Sequence, residues 1–304
     1  MDKSQDAPPN ITKASLAALT TLVLWGGTPV ANKIAVAYVD GLSVGLFRSW
    51  LAGCTALMIV IVMRVPPPNT LTDRAILTIS GVGTFAIWPI LLSIGLTKTT
   101  AGHAALIMTV LPILTVLISR SMNKSMPGVG WWIGAAIALG GGAWLILQAS
   151  VESAPNANQP SLIGDLIILG GCFVCSLGYV AGGKLSARYG ALSITMWGLA
   201  AAFFVLTPFA YLLFGGTAWS AVPTVGWLSL AWLTFFSSLA GFMFWYYALG
   251  HGGIERMGTL QLGQPIISLI AASIILSELI TAPLLAATAV ILFGTYFAQR
   301  HLAD

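Results

Sequence analysis

The sequence predicts an all-α integral membrane protein of ten transmembrane helices, arranged as two inverted repeats of five. Three observations lead there. The first is composition: of 304 residues, 57% are hydrophobic and only 7% charged, and the mean hydropathy is +0.91. Soluble domains carry about 25% charged residues, so this chain lacks the side chains to clothe a water-facing surface. Its solvent is a bilayer, where each helix needs about 20 mostly apolar residues. The second is an internal repeat. LTKTTAGHAALIMTVLP, from Leu96 to Pro112, returns as LGHGGIERMGTLQLGQP, from Leu249 to Pro265, an offset of 153. In each copy a leucine closes one apolar run, a polar hinge follows, and a proline sits about a dozen residues into the next run. The same offset lays Gly134 over Ala287 and Gly141 over Gly294, and an offset of 151 lays Lys33 over Lys184. The third is the distribution of lysine and arginine.

Residues 1–11 are polar and proline-bearing, the pattern of a disordered cytoplasmic lead. The first apolar run is too long for a signal peptide and carries no cleavage pattern. Apolar runs then predict spans at about 12–31, 42–63, 74–95, 101–119, 129–148, 161–183, 192–213, 225–249, 255–276 and 281–299. The segment 149–160 is a linker between a first half, 12–148, and a second, 161–304.

With the N-terminus inside, cytoplasmic segments hold Lys3, Lys13, Arg64, Arg74, Arg120, Lys124, Lys184, Arg188, Arg256 and Arg300. The opposite side holds Lys33 and Lys98, and Arg48 lies within a span, which accounts for all 13 basic residues. That bias places both termini in the cytoplasm. Five spans per half is an odd number, so the second half enters the membrane from the opposite side. Inverted halves are a mark of secondary transporters, whose substrate sites lie near the midplane between them.

Several chemistries are excluded. The net charge of +4 is scattered at the ends of apolar runs, which fits contact with membrane lipid and not with nucleic acid. Gly178-x-x-x-x-Gly183-Lys184 has Leu185 where a phosphate-binding loop needs a hydroxyl, and no strand precedes it, so no nucleotide is expected. Cys172 and Cys175 have redox spacing but sit in an apolar span, and Cys54 stands alone; all three read as small apolar packers. The three histidines are dispersed. Neither a metal nor a cofactor is expected, and no nucleophile–base pair points to an enzyme.

What remains is polar and aromatic chemistry inside the spans. Arg48 lies about two turns into the second span, and an intramembrane cation is a functional candidate. Asp165, at the start of the sixth span on the same side, is its expected ion-pair partner, a structural or gating contact. The competing reading has Arg48 snorkel to the surface. In the ninth span Met257, Gln261, Gln264 and Ser268 share one face. That face serves either as glue between helices or as the wall of a wet cavity. Pro265 breaks the same span, and Pro112 breaks its counterpart, so both are expected hinges. Further stripes run through Trp25, Thr28 and Asn32, through Ser80, Thr84 and Trp88, through Cys172, Ser176 and Tyr179, and through Thr234, Ser238, Gly241 and Trp245 with Tyr246. Trp131, Trp132 and Trp219 fit an interfacial belt. The fifth and tenth spans, with Gly140, Gly141, Gly142 and Gly294, read as scaffold.

The paired hinges, the mid-span prolines Pro112 and Pro265, and the Trp25-Gly26-Gly27 turn resemble the drug/metabolite transporter superfamily, in its EamA-like branch of bacterial exporters. The likeness covers about residues 14–300. It implies ten helices in two inverted halves around a central cavity, in the inner membrane of a bacterium. Glu278 follows the span of Pro265, where this family often carries a glutamate, while the first half has Ser125 at the matching place. The many aromatics are most similar to those of amino-acid exporters, including exporters of aromatic amino acids. The expected substrate site joins Trp25, Trp88, Tyr179 and Trp245 as walls with Gln261 and Gln264 as polar anchors, and Thr28, His103 and Tyr246 beside them. The expected partner is a small-molecule substrate, carried by a monomer. No acidic residue lies deep in a span, which favours facilitated export. A channel-like pore and a proton-coupled exporter of another substrate class are the competing readings.

Overall fold

The structure is a computed structural model, and it describes residues 11–151, 161–209 and 216–301. Nearly all of the expected lead, most of the linker and the end of the seventh expected span lie outside the described residues. The described chain is helical, and no strand occurs in it. Eight helical stretches are long and apolar enough to cross a membrane: 11–36, 41–63, 71–96, 101–122, 162–189, 191–209, 224–252 and 282–300. Two shorter apolar helices, 129–144 and 264–276, fall where the fifth and ninth spans were expected.

Several of these stretches are interrupted, and in most the sequence supplies the cause. Helix α1 (Ile11–Gly26) gives way at Gly27 to α2 (Thr28–Val36). Pro29 has no N–H to offer the Trp25 carbonyl four residues back, so a continuous ladder cannot form. Helix α3 (Gly41–Met63) starts on Asp40, whose carboxylate accepts from the Ser43 N–H at 2.9 Å. It stops at Arg64, which takes a left-handed conformation with φ of 51°. Helix α4 (Leu71–Val82) widens into a π-turn over Gly83–Ile87 before α5 (Trp88–Leu96), because Pro89 leaves the Phe85 carbonyl without its usual donor.

The fourth stretch is split into α6 (Ala101–Ile107) and α7 (Val110–Met122), with Pro112 in the first turn of α7. Helix α8 (Val129–Val151) and the unbroken α9 (Leu162–Tyr189) follow. Gly190 at φ 82° turns the chain into α10 (Ala191–Leu206). Helix α11 (Thr224–Ala231) runs through a ten-residue π-segment, Trp232–Gly241, into α12 (Phe242–Gly252). Gly253 at φ 86° then leads to α13 (Ile254–Leu260), a 3₁₀ turn Gln261–Gly263, and α14 (Gln264–Leu276) with Pro265 in its first turn. Helix α15 (Ala282–Arg300) closes the described chain. The breaks in α6/α7 and α13/α14, and the two π-segments, therefore sit at positions about 153 apart.

Helices α8 and α15 pack backbone to backbone. A Cβ on Gly134 would stand 2.6 Å from the Gly294 carbonyl oxygen, and one on Gly294 would stand 2.8 Å from that of Gly134. Gly141 approaches Val290 and Ile291, whereas Gly140 and Gly142 meet nothing within 4 Å. Trp131 corrects the interfacial reading given to it. It is fully buried in a cluster with Ile113, Val116, Ala135 and Ala298. Trp132 on the next position is 45% exposed, because neighbouring residues on a helix face about 100° apart. The main core joins α1, α3, α5, α9, α10 and α12.

Candidate substrate chamber

The centre of that core is aromatic. Trp25, at the end of α1, stacks on Tyr179 of α9 with ring centroids 5.9 Å apart and planes 7° from parallel. Trp245 lies 5.5 Å from Trp25 and 5.7 Å from Tyr179, and Phe242 meets Trp25 edge-on at 4.9 Å. Such offset and edge contacts suit the ring quadrupoles. The π-segment fixes the group in place. Its widened turns leave carbonyls free to accept from other helices, so the Trp25 indole N–H donates to Ser237 O at 2.9 Å and Thr21 Oγ1 to Gly241 O at 3.2 Å.

Beside this group lies a small closed chamber lined by Trp25, Thr28, Arg48, Trp88, Leu92, Met108, Tyr179, Ser237 and Phe242. The open space in it is about 10 Å³, room for no more than one water. Four of the sequence-expected substrate residues, Trp25, Thr28, Trp88 and Tyr179, are on its wall. Arg48 is there too, 2% exposed. Its Nη2 donates to Ser237 Oγ and Ser238 Oγ, both at 3.2 Å, while Nε and Nη1 are buried without a partner. Thr28 Oγ1 donates to Ser237 Oγ at 2.9 Å, which ties α2 to the same π-segment.

The expected pair between Arg48 and Asp165 does not form. Asp165 is held at the start of α9, where it accepts from Thr99 Oγ1 at 2.6 Å and from His103 Nδ1 at 3.3 Å. With both carboxylate oxygens engaged there, Arg48 turns to the serines instead. His103 is drawn by the same contact to the end of the bundle and is not on the chamber wall.

The remaining expected residues stand behind the wall. Trp245 supports the Trp25 and Tyr179 rings, and Gln261 lies near the Tyr179 side chain with its amide nitrogen buried and unpartnered. The Gln264 amide donates to the Trp25 carbonyl at a long 3.5 Å, and Ser268 Oγ donates to Gly26 O at 2.9 Å. That polar face therefore serves as glue for the break between α1 and α2, satisfying the carbonyl that Pro29 leaves free. Tyr246 points elsewhere, its hydroxyl donating to Gly178 O at 3.2 Å. Sequence reasoning missed Leu92, Met108, Ser237 and Phe242. Met108, at the break between α6 and α7, was within reach of the proline signal; the other three carried none.

Polar contacts bridge the helices at both ends of the bundle. At one end Lys33 Nζ donates to the carbonyls of Leu96 and Thr99, at 3.0 and 2.7 Å, near the end of α5. Glu278 accepts from the N–H groups of Ala101 and Gly102, both at 2.9 Å, at the start of α6. Asp165 completes this end. At the other, Arg120 of α7 pairs with Glu255 of α13 at 3.0 Å, and Lys184 Nζ donates to Asn123 Oδ1 at 3.0 Å. Asp73 accepts from Tyr189 at 2.6 Å and from Arg188 at 3.2 Å. Asp165 and Lys184 mark opposite ends of α9, about 28 Å apart at 1.5 Å per residue. A larger cavity, about 610 Å³, lies away from this chemistry between α1, α10 and α12, with Lys13 and His251 among its lining and mostly apolar walls. Among the described residues no cluster of His, Cys, Asp or Glu could hold a metal.

A closed chamber with a few polar groups, inside interrupted apolar helices, defines a multi-pass membrane protein that carries small molecules. The pattern of the EamA-like transporter family matches residues 12–147 and again 162–299, and the chain belongs to that family. It is a transporter and not an enzyme. It is 30% identical over 279 residues to the uncharacterized transporter YdeK of Bacillus subtilis, covering 92% of this chain and 94% of that one. It is 26% identical over 300 residues to a protein of Salmonella typhimurium described as a probable amino-acid metabolite efflux pump, covering 93% and 94%. A solved crystal structure shares the fold with a TM-score of 0.66 at 20% identity, over 96% of this chain and 99% of that one.

Proposed function

We propose that this protein exports small organic solutes, neutral or aromatic amino acids and related metabolites, across the bacterial inner membrane by alternating access. The reading has ten crossings in two inverted halves, 12–148 and 161–304, with both termini cytoplasmic and the monomer as the working unit. Two matches of one family pattern, and interruptions recurring about 153 residues apart, support the halves. The likeness to a relative described as an amino-acid metabolite efflux pump supports the substrate class.

The observation that carries the proposal is the chamber itself. Trp25 and Thr28 flank the α1/α2 break, Trp88 follows a π-turn, Ser237 lies in the other π-segment, and Met108 sits at the α6/α7 break. Substrate sites in carriers are built where helices are discontinuous. A pocket for a small solute holds about 300 Å³ or more, so the closed chamber has to widen around its cargo. Pro112 and Pro265 sit beside the breaks in α6/α7 and α13/α14 and let those helices bend.

The test is counterflow of labelled phenylalanine, tryptophan and leucine in proteoliposomes, with wild type and Trp88→Ala. Saturable counterflow is expected in wild type. Trp88→Ala should raise the half-saturation for the aromatic solutes about ten- to a hundredfold, since losing a buried aromatic wall costs about 1.5–3 kcal/mol. Non-saturating flux would make the protein a pore, and an unchanged half-saturation would move the site elsewhere.

A further inference from the structure

We infer that Arg48 is the anion-binding group of the chamber, and that the best cargo is an apolar or aromatic monocarboxylate without a neutralising ammonium. This rests on the carrier reading and, within its substrate class, favours the related metabolites over the amino acids themselves.

Three observations carry it. Arg48 is 2% exposed, yet among the described residues no carboxylate touches it. Its two serine contacts use Nη2 alone, so the Nε–H and Nη1 donors remain buried and unpartnered. Of the residues lining the chamber, Arg48 alone has side-chain donors that are fully buried and unpartnered. An uncompensated buried cation is costly, and inside a membrane bundle such a group marks a functional site. Guanidinium is the side chain whose planar fork matches a carboxylate.

The rest of the wall settles the sort of carboxylate. Leu92, Met108, Phe242 and the rings of Trp25, Trp88 and Tyr179 suit an apolar or aromatic body. No acidic residue lines the chamber to receive an ammonium group. Asp165 is engaged by Thr99 and His103, Glu278 by Ala101 and Gly102, and Asp40 by Ser43. A monocarboxylate therefore leaves the chamber neutral. A zwitterion leaves it with one positive charge facing only hydroxyls and ring faces.

The experiment measures binding to purified, detergent-solubilised protein by quenching of intrinsic tryptophan fluorescence and, independently, by isothermal calorimetry. The ligands are 3-phenylpropionate, phenylalanine, the neutral isostere 3-phenylpropanamide and the cation 2-phenylethylamine. Wild type should bind 3-phenylpropionate at least tenfold more tightly than the amide, with phenylalanine between them and the amine weakest. Arg48→Gln should erase the preference for carboxylate over amide, because carboxylate binding falls at least tenfold more than amide binding does. Arg48→Lys, which keeps the charge and loses the fork, should keep part of it. Equal binding of propionate and amide by wild type overturns the inference, and this arm needs no variant to fold. An unchanged carboxylate preference in Arg48→Gln overturns it too. Absence of discrimination in wild type with counterflow intact leaves the carrier standing without the Arg48 assignment. A panel that neither binds nor moves removes both.

Discussion

The two ends of the bundle are closed by different physics. At the Asp165 end, charges meet backbone and buried hydroxyls. Asp165 is 0% exposed, Glu278 sits on the free N–H groups that start α6, and Lys33 covers the free carbonyls near the end of α5. Helix ends leave such groups without partners, and opposite charge there is favoured by the helix dipole as well. At the Lys184 end the contacts are side chain to side chain and partly wet. The Arg120 and Glu255 side chains are 24% and 28% exposed, and that of Arg188 is 62% exposed. Pairs of that kind contribute little and are screened by salt. On the burial of Asp165 and Thr99 the Asp165 end is expected to be the firmer seal, and the Lys184 end the one that opens more easily.

That contrast breaks most readily at Asp165. Replacing Asp165 with alanine leaves Thr99 and His103 without their shared acceptor, and loss of one buried partner costs about 3 kcal/mol. A cysteine placed at Leu92 on the chamber wall, in a background with Cys54, Cys172 and Cys175 changed to alanine, reports the opening. Labelling by a membrane-impermeant maleimide from the periplasmic side should rise roughly a hundredfold in Asp165→Ala. A rise from the cytoplasmic side alone would reverse the assigned orientation, and no rise would leave Asp165 as packing.

Much of the helix pattern was legible in the sequence, because length and apolarity alone report a crossing and glycine or proline reports a break. The expected runs 42–63 and 74–95 are helical over 41–63 and 71–96, and Pro29, Pro89, Pro112 and Pro265 each sit beside an interruption. What could not be read was which face of a helix turns inward. In a soluble protein the apolar stripe marks the core, but lipid is as apolar as the core. So Phe204 and Ile274 lie outside at 59% and 75% exposure while Leu199 and Leu269 on the same helices lie inside. Trp131 was misread for that reason. Part of the candidate site was legible because polar and aromatic residues mark depth, and Trp25, Thr28, Trp88 and Tyr179 do line one chamber. Gln264 and Ser268 were ambiguous for a different reason. A free carbonyl and a solute can be bonded by the same amide or hydroxyl, and only the fold tells which one stands there.

A smaller effect on the same seal is expected at Glu278. Glutamine keeps the length and an acceptor oxygen but removes the negative charge from the start of α6, a loss of about 1 kcal/mol. In the Leu92→Cys background, Glu278→Gln should raise periplasmic labelling roughly fivefold. Combining it with Asp165→Ala sharpens the comparison. Both residues act on the α6 hinge, one through the Ala101 and Gly102 amides and one through His103, so their effects should fall short of adding. Full additivity would mean that the two contacts hold separate parts of the end.

The weakest effect is expected at the opposite end, and its salt dependence is what makes it informative. Arg120 donates from Nη2 to Glu255 Oε2 at 3.1 Å, and its Nε lies 3.0 Å from Oε1 as a close ion pair. That geometry favours the pair, but water reaches both side chains, and the expected worth is about 0.5–1 kcal/mol. Arg120→Gln should therefore raise labelling of the Leu92→Cys protein only about two- to fivefold, and from the cytoplasmic side, in inverted vesicles. In wild type, moving from low ionic strength to about 0.5 M salt should reproduce most of that rise, because a wet pair is screened over a few ångströms. The same change in salt should leave periplasmic labelling almost unaltered, since the Asp165 carboxylate itself is 0% exposed. If salt loosens both ends alike, the Asp165 cluster is hydrated in the membrane and the distinction between a dry seal and a wet one fails. If salt loosens neither, the Arg120 pair is more deeply shielded than its exposure indicates, and the Lys184–Asn123 contact becomes the place to look for the easier opening.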